Sequence, residues 1–193
     1  MIRRDEAGAL WRLVLDRPEK ANSLTRAMLA ALVLTGTGKV FSAGADLDEA
    51  RAGLATDPIW EEVSGRLAAL PCLTIAALNG TLAGGAFGMA LACDIRLAVP
   101  GAKFFYPVMK LGYLPQPSDP ARLAALVGPG RARLILMAGQ RVEADEALTW
   151  GLVDRVAPKE GLMAAAEALA ADACAAPAGH AGRIKAMIPR NRG

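Results

Sequence analysis

Two short glycine-containing turns are the part of this sequence best suited to chemistry. The turn SAGADL, residues 42–47, follows one predicted strand, and LAGGAFG, residues 82–88, follows another strand and opens a helix. Because each turn leaves backbone N–H groups unpaired at a strand end, both can direct donors into the same space. Two such donors would form an oxyanion hole, and a Cβ at Gly84 or Gly85 would block the close approach of a ligand. Two tight turns with a purely structural role are the alternative.

The sequence lacks the other common arrangements of catalytic residues. The run GTGKVF, residues 36–41, is not a phosphate-binding loop, since Val33 and Val40 stand where that motif needs Gly and Ser or Thr. The single histidine, His180, leaves neither a nucleophilic triad nor a histidine-rich metal cluster. The three cysteines have no C-x-x-C spacing. We therefore expect no metal and no disulfide framework.

Composition excludes several functional classes. A chain of 193 residues is long enough for one well-buried domain, and its net charge of +3 is spread along the sequence, so we expect no nucleic-acid partner. Residues 67–93 carry no charged side chain, but Pro71, Asn79 and Gly80 divide this run into a buried strand, a turn and a buried helix, so we expect no membrane span. The N-terminal residues contain no export signal, and together with the cysteine usage this predicts a cytoplasmic protein.

The alternation of strands and helices, followed by helices alone, predicts an α/β fold with a helical C-terminal part. We expect strands at residues 10–16, 33–36, 72–78 and 95–99, and helices at residues 26–32, 57–70, 84–92, 120–127, 131–138, 144–150 and 162–173. We divide the chain into a core of residues 1–128, which holds the site, and a helical region of residues 129–193. The first helix meets a strand with no turn residue between Leu32 and Val33, so we expect residues to be missing at that junction.

The stretches LVLDRPEKANSLT, VLTGTGKVFSAGADL, ALNGTLAGGAFGMALACDIRLA, KLGYLP and ILMAGQRVEADEALTWGLVDRV follow one another between residue 10 and about residue 158. Together they resemble the crotonase superfamily, the enoyl-CoA hydratase/isomerase family. The resemblance implies a crotonase-like spiral of ββα repeats and a C-terminal helical region that packs a homotrimer or a dimer of trimers. It also implies an acyl-CoA thioester substrate, with coenzyme A present only as part of that substrate and no separate cofactor.

The same resemblance implies which residues hold the thioester. The backbone N–H groups of Ala45 and Gly85 match the pair that polarises the thioester carbonyl. The residues expected beside the coenzyme A and the acyl group are Lys20, Ala21, Ala43, Ala45, Asp46, Leu47, Asp48, Gly84, Gly85, Gly88, Val108 and Gln116.

The sequence departs from the family at its acid–base positions. Hydratases of the family carry two glutamates where this chain has Gly88 and Val108, and isomerases often carry a carboxylate where it has Gln116. None of these three side chains can transfer a proton at neutral pH. A chain with these motifs would be classed with the enoyl-CoA hydratases, but its reaction stays open. The alternatives are a catalytically silent acyl-CoA binding protein, and an isomerase or hydrolase with a different acid–base residue.

Two other carboxylates are candidates for that acid–base residue. Asp119 lies in the loop that follows KLGYLP, although an Asp before Pro120 is also typical of a helix N-cap. Glu62 lies beside the apolar face of its predicted helix, although a solvated surface position is the alternative. In the same region Tyr106 would either donate a hydrogen bond or pack with its hydroxyl at the surface.

The missing glutamates predict weak or no hydration of crotonyl-CoA. Addition of water needs one group to deliver the water and another to protonate the carbon, and neither usual position carries a carboxylate. The loss of enoyl-thioester absorbance in the presence of purified protein measures this reaction. Hydration at a rate typical of the family would contradict the prediction.

Overall fold

The computed structural model describes residues 2–7, 10–15 and 31–188. Lys20, Ala21 and most of the predicted helix 26–32 lie outside these ranges. The strands within them are β1 Ile2–Ala7, β2 Leu10–Leu15, β3 Ala31–Thr35, β4 Val40–Ser42, β5 Leu73–Leu78, β6 Thr81–Ala83, β7 Ile95–Ala98, β8 Lys103–Phe105, β9 Val142–Glu143 and β10 Arg155–Val156.

Some helix ends coincide with capping signals of the sequence. Over the described ranges they are α1 Leu47–Arg51, α2 Ile59–Ala69, α3 Ala86–Ala92, α4 Val108–Leu111, α5 Asp119–Val127, α6 Pro129–Leu136, α7 Ala144–Trp150, α8 Leu162–Ala175 and α9 His180–Met187. At the start of α2, Asp57 Oδ1 accepts a hydrogen bond from the N–H of Ile59 at 2.7 Å. At the end of α7, Gly151 adopts φ 80°, which glycine reaches without a steric penalty.

The strands and helices form a repeated ββα unit. In each repeat one strand joins a parallel sheet of order β10-β7-β5-β3, and the next strand joins a second sheet of order β4-β6-β8-β9. A helix follows each pair: α1 and α2 after β3 and β4, α3 after β5 and β6, and α4 and α5 after β7 and β8. Strands β1 and β2 form a separate antiparallel pair. The expected α/β fold of ββα repeats with a helical C-terminal part is confirmed.

The core explains the charge-free run of the sequence. Strand β5 is covered on both faces, as a parallel strand between helices must be, and Ile75 and Leu78 are almost inaccessible. Helix α3 is buried on nearly all sides, with Phe87 fully enclosed. Its small residues let it lie close to the strands and to its neighbouring helices. Among the described helices, none is long and apolar enough to cross a membrane.

The side chain of Asn79 links the first two repeats through hydrogen bonds, and this link is called the Asn79 clasp. Asn79 Oδ1 accepts a hydrogen bond from Gly36 N–H at 3.0 Å, and its Nδ2 donates to the carbonyl of Val40 at 3.3 Å. The next residue, Gly80, lies so close to Lys39 that a Cβ there would be 2.0 Å from the Lys39 carbonyl oxygen. The link between β3 and β4 is therefore fixed against the link between β5 and β6, and this clasp lies immediately before the two glycine turns.

The predicted end of the helix 26–32 is wrong. Ala31 and Leu32 belong to β3, where they pair with Leu73 and Thr74 of β5. The strand runs without interruption through Leu32 and Val33, so no turn is needed at the junction where residues were expected to be missing. The pairing of this segment with β5 overrode its helix-favouring alanine and leucine content.

Candidate active site

The two glycine turns touch each other. Gly44 and Gly84 adopt φ values of 95° and 61°, in the left-handed region that favours glycine. A Cβ on Gly44 would lie 3.1 Å from Gly85 N, and a Cβ on Gly84 would lie 3.1 Å from the Ala43 carbonyl oxygen. The missing side chains thus allow the backbones of residues 43–44 and 84–85 to approach closely.

Both backbone amides singled out in the sequence are without a hydrogen-bond acceptor in the part of the chain that the structure describes. Among residues 31–188, no acceptor takes a hydrogen bond from the N–H of Ala45 or of Gly85. The carbonyls beside the second amide are engaged, since Gly84 O accepts from Phe87 N and Gly85 O accepts from Gly88 N as α3 begins. Half-buried amides without a partner are uncommon in folded proteins, and a ligand oxygen is a natural acceptor for them.

The indole of Trp60 covers Gly85 from α2. A Cβ on Gly85 would lie 2.9 to 3.2 Å from three atoms of the Trp60 ring. The ring is fixed by its own Nε1–H, which donates to the Leu54 carbonyl at 2.8 Å. Any side chain at position 85 must therefore displace this ring.

The carboxyl group of Asp119 lies against the same helix, one turn further along. A Cβ on Gly88 would lie 2.7 Å from Asp119 Oδ1 and 3.0 Å from Oδ2. The residue is fully buried, and Tyr106 Oη donates a hydrogen bond to Oδ2 at 3.0 Å. Within the described residues Oδ1 is the one buried side-chain oxygen or nitrogen with no hydrogen-bond partner. The cation of Arg122 is 4.0 Å away from it.

Burial is the largest influence on the pKa values of Asp119 and Tyr106. Desolvation raises the pKa of Asp119 to about 6, against the opposing effects of the Tyr106 hydrogen bond and the Arg122 charge, while the charge of Glu61 raises it further. Burial and the neighbouring Asp119 raise the pKa of Tyr106 well above its usual value, so the phenol keeps its proton. A carboxyl group with a pKa of about 6 can both accept and release a proton near neutral pH.

Helix α2 is tied to the start of α5 by two polar contacts. The Glu61 carboxylate accepts hydrogen bonds from the backbone N–H of Ser118, at 3.1 Å, and from its hydroxyl. Arg122 Nη1 donates to the buried Ser64 Oγ at 2.9 Å. These contacts fix the segment that carries Asp119.

Comparisons with known proteins agree with this architecture. The profile of the family described as enoyl-CoA hydratase/isomerase matches residues 5–191. The chain belongs to this family. It is 40% identical to the protein YngF of Bacillus subtilis (strain 168) over 182 residues, which are 82% of this chain and 70% of YngF. It is 36% identical to the carnitinyl-CoA dehydratase of Citrobacter koseri, over 84% of this chain and 70% of that protein.

Solved structures show the same crotonase fold. The structure titled as an enoyl-CoA hydratase from Bacillus anthracis superposes with a TM-score of 0.74 at 30% identity, covering 96% of this chain and 81% of that chain. Pseudomonas aeruginosa PA4980 gives the same TM-score at 30% identity, covering 96% and 89% of the two chains.

Within this enoyl-CoA hydratase/isomerase fold, Asp119 is not the predicted helix cap. Its helix is preceded by Ser118, and the Asp119 side chain makes no capping bond because it turns inward to Tyr106. The Tyr106 side chain is buried and its hydroxyl donates a hydrogen bond, which is the first of the two alternatives that the sequence left open. Glu62 is exposed and pairs with Arg66, so the structure does not bring it to the Asp119 carboxyl.

The other predicted site residues flank the turns and the loop. Asp46 caps α1 by accepting from the N–H groups of Asp48 and Glu49. Val108 and Gln116 are buried, and the Gln116 carbonyl accepts from Asp119 N–H at 3.0 Å.

Sequence reasoning missed Trp60 as a neighbour of the site, and it favoured Glu62 over Glu61, the glutamate that contacts Ser118. No local signal identifies Trp60 or Glu61, since their role depends on how α2 packs against α3 and α5.

Asp119→Asn should become more stable than the parent as the pH rises. The pKa of Asp119 is raised from 3.8 to about 6 by folding, so the carboxyl stabilises the fold only at low pH, and this stabilisation is lost as pH rises through about 6. The neutral amide of the variant does not undergo this loss. At ~1.4 kcal/mol per pKa unit, the free energy of unfolding of Asp119→Asn should exceed that of the parent by about 3 kcal/mol at high pH. Urea unfolding between about pH 4 and pH 8 measures it.

Asp172→Asn, on the exposed side of α8, controls for the loss of one negative charge. A stability difference between Asp119→Asn and the parent that is constant across the pH range would show that folding leaves the pKa of Asp119 unchanged, and would contradict the raised pKa described here.

Proposed function

We propose that this member of the enoyl-CoA hydratase/isomerase family is an enzyme that holds the carbonyl oxygen of an acyl-CoA thioester with the N–H groups of Ala45 and Gly85. The observation that carries the proposal is the buried, unpartnered Oδ1 of Asp119, one turn of α3 away from the free Gly85 amide. One helical turn is about 5 Å, which supports a role for this carboxyl in proton transfer to the carbons next to a carbonyl held at Gly85.

Two backbone donors would lower the barrier to enolate formation. Removing a proton next to a thioester places negative charge on the carbonyl oxygen, and preorganised amides stabilise that charge without reorganisation. A single donor of this kind is worth about 3 kcal/mol in the transition state. The covering Trp60 ring would exclude water from the Gly85 side and so strengthen the interaction.

Asp119 is the acid–base residue in this proposal. Its ionised Oδ1 takes a proton from a substrate carbon, and the electron pair of that C–H bond moves to the thioester oxygen. The protonated carboxyl then returns the proton to the resulting enolate, so that no other reactant is consumed. A single carboxyl that moves one proton between two carbons is suited to isomerisation. An isomerase is therefore a candidate beside the hydratase that the sequence motifs suggest.

The remaining contacts follow the family resemblance. We expect Lys20, Ala21, Ala43 and residues 46–48 beside the coenzyme A, and Gly84, Gly88, Val108 and Gln116 beside the acyl group. We also expect a homotrimer or a dimer of trimers in the cytoplasm.

Gly85→Pro should lower turnover about 100-fold or more relative to Gly85→Ala. Both variants place a Cβ against the Trp60 ring, so both lose some stability, but only proline removes the N–H. The Gly85 φ of −58° suits proline. The ratio of kcat/KM values between the two variants therefore isolates the amide, whose loss is worth two to three orders of magnitude.

Equal kcat/KM values for the two variants would remove Gly85 from the mechanism. A measurement on the parent protein gives an independent test, in case the proline variant does not fold. Addition of an unreactive acyl-CoA analogue should move the amide proton signals of both Ala45 and Gly85 downfield in NMR spectra, and movement of neither would contradict the proposal.

Asp119→Asn should bind acyl-CoA thioesters like the parent and turn them over at least about 100-fold more slowly. The amide can accept the Tyr106 hydrogen bond but cannot exchange a proton, and a general acid–base group contributes about 10²- to 10⁴-fold. Calorimetric titration gives the affinity, and a panel of enoyl, hydroxyacyl, β-keto and branched thioesters gives the turnover.

The outcome also separates the enzyme from its rival. Tight binding by the parent with no turnover of any thioester in the panel would instead support a silent acyl-CoA binding protein.

A further inference from the structure

The phenol of Tyr106 sets which oxygen of Asp119 is available. Tyr106 follows β8, and its ring stacks on Phe87 of α3 with centroids 5.6 Å apart and an interplanar angle of 19°. The ring is buried in the core, and its hydroxyl donates to Oδ2 of the carboxyl at 3.0 Å. Because the phenol retains its proton, Oδ2 is occupied as an acceptor and Oδ1 is left free.

The carboxylate of Glu61 sets where Asp119 lies. Both of its oxygens are engaged by Ser118, one by the backbone N–H and the other by the hydroxyl. Ser118 directly precedes α5 and makes no capping bond with its own side chain to that helix. The anion of Glu61 therefore supplies an acceptor to the start of α5 from a neighbouring helix, where negative charge is favourable.

We propose that Tyr106 and Glu61 are positioning residues for Asp119: Tyr106 occupies Oδ2, so that the exchangeable proton is carried on Oδ1, and Glu61 anchors Ser118, so that Oδ1 stays against Gly88. This inference rests on the proposed role of Asp119 in proton transfer. Neither residue touches the reacting atoms, and each acts through a contact with Asp119 or with the residue before it.

Tyr106 and Glu61 shift the pKa of Asp119 in opposite directions. The hydrogen bond from Tyr106 stabilises the ionised carboxylate, whereas the negative charge of Glu61 destabilises it. Within the part of the chain that the structure describes, Arg122 is the other charged group that acts on Asp119; it also favours the ionised form and is unchanged in both variants below. A purely structural role for either residue gives no reason for opposite effects.

Tyr106→Phe should raise the midpoint of Asp119 ionisation, and Glu61→Gln should lower it, each by about 0.5 pH unit or more. Phenylalanine keeps the ring stacked on Phe87, and glutamine keeps an acceptor for Ser118. The readout is a titration of the Asp119 side-chain carboxyl by ¹³C NMR in the free protein, which requires no substrate. Tyr113→Phe, which removes an exposed phenol from the loop after α4, is the matched control and should leave the midpoint where it is in the parent.

The limb of the kcat/KM profile that reports Asp119 should move with these midpoints. Midpoints that shift in the same direction, or not at all, would overturn the positioning roles even if the protein is an active enzyme. Opposite shifts in an otherwise inactive protein, or in one whose turnover survives Asp119→Asn, would uphold the two contacts and refute the proposed function instead.

Discussion

The candidate site depends on one face of the short helix α3 that carries glycines and therefore no side chains. Gly85 and Gly88 lie one turn apart at the start of α3, and the space that their side chains would fill is taken by the Trp60 ring and the Asp119 carboxyl. Residues three apart on a helix share a face, so the two groups that contact these glycines lie side by side. A side chain at either position would displace one of them. The two glycines therefore determine both the cover over the amide and the place of the carboxyl.

Holding an ionisable group at this place has an energetic cost that the rest of the core must offset. A buried carboxyl with a free oxygen loses hydration that one tyrosine and a cation 4.0 Å away only partly replace. An apolar residue of similar size would fill the same space without that loss. Such a cost is typical of functional sites, where stability is given up for reactivity. Nearby, Asn79 satisfies its polar atoms by joining two chain segments, so its burial stabilises the frame around the site.

Much of the architecture could be predicted from the sequence, because buried strands and capped helices leave local patterns. The strand ending at Leu78, the helix after Gly85 and the helix closed by Gly151 all lie where those patterns indicate. The predictions fail where contacts between residues distant in sequence determine the structure. Asp119 before a proline has the local pattern of a cap, but Tyr106, thirteen residues earlier, draws its carboxyl inward. Ala31 has a helical preference that pairing with β5 overrides. Of two neighbouring glutamates, the sequence favours Glu62 because it lies beside the apolar helix face, yet Glu61 faces Ser118 and Glu62 faces solvent.

If Asp119 has the acid–base role proposed above, its position shows how a carboxyl can be supplied where the family resemblance implies a glutamate at position 88. A long side chain on α3 at position 88 would reach outward from the helix, whereas here a short side chain from α5 reaches inward to the same helix surface. Asp119 is the first residue of α5, and its position is held because Ser118, the residue before it, contacts Glu61 of α2. A carboxyl supplied in this way depends on the packing of three helices, α2, α3 and α5. Changes at α2, which lies between the two glycine turns in sequence, would therefore alter the surroundings of the Asp119 carboxyl as well as the shape of the core around it.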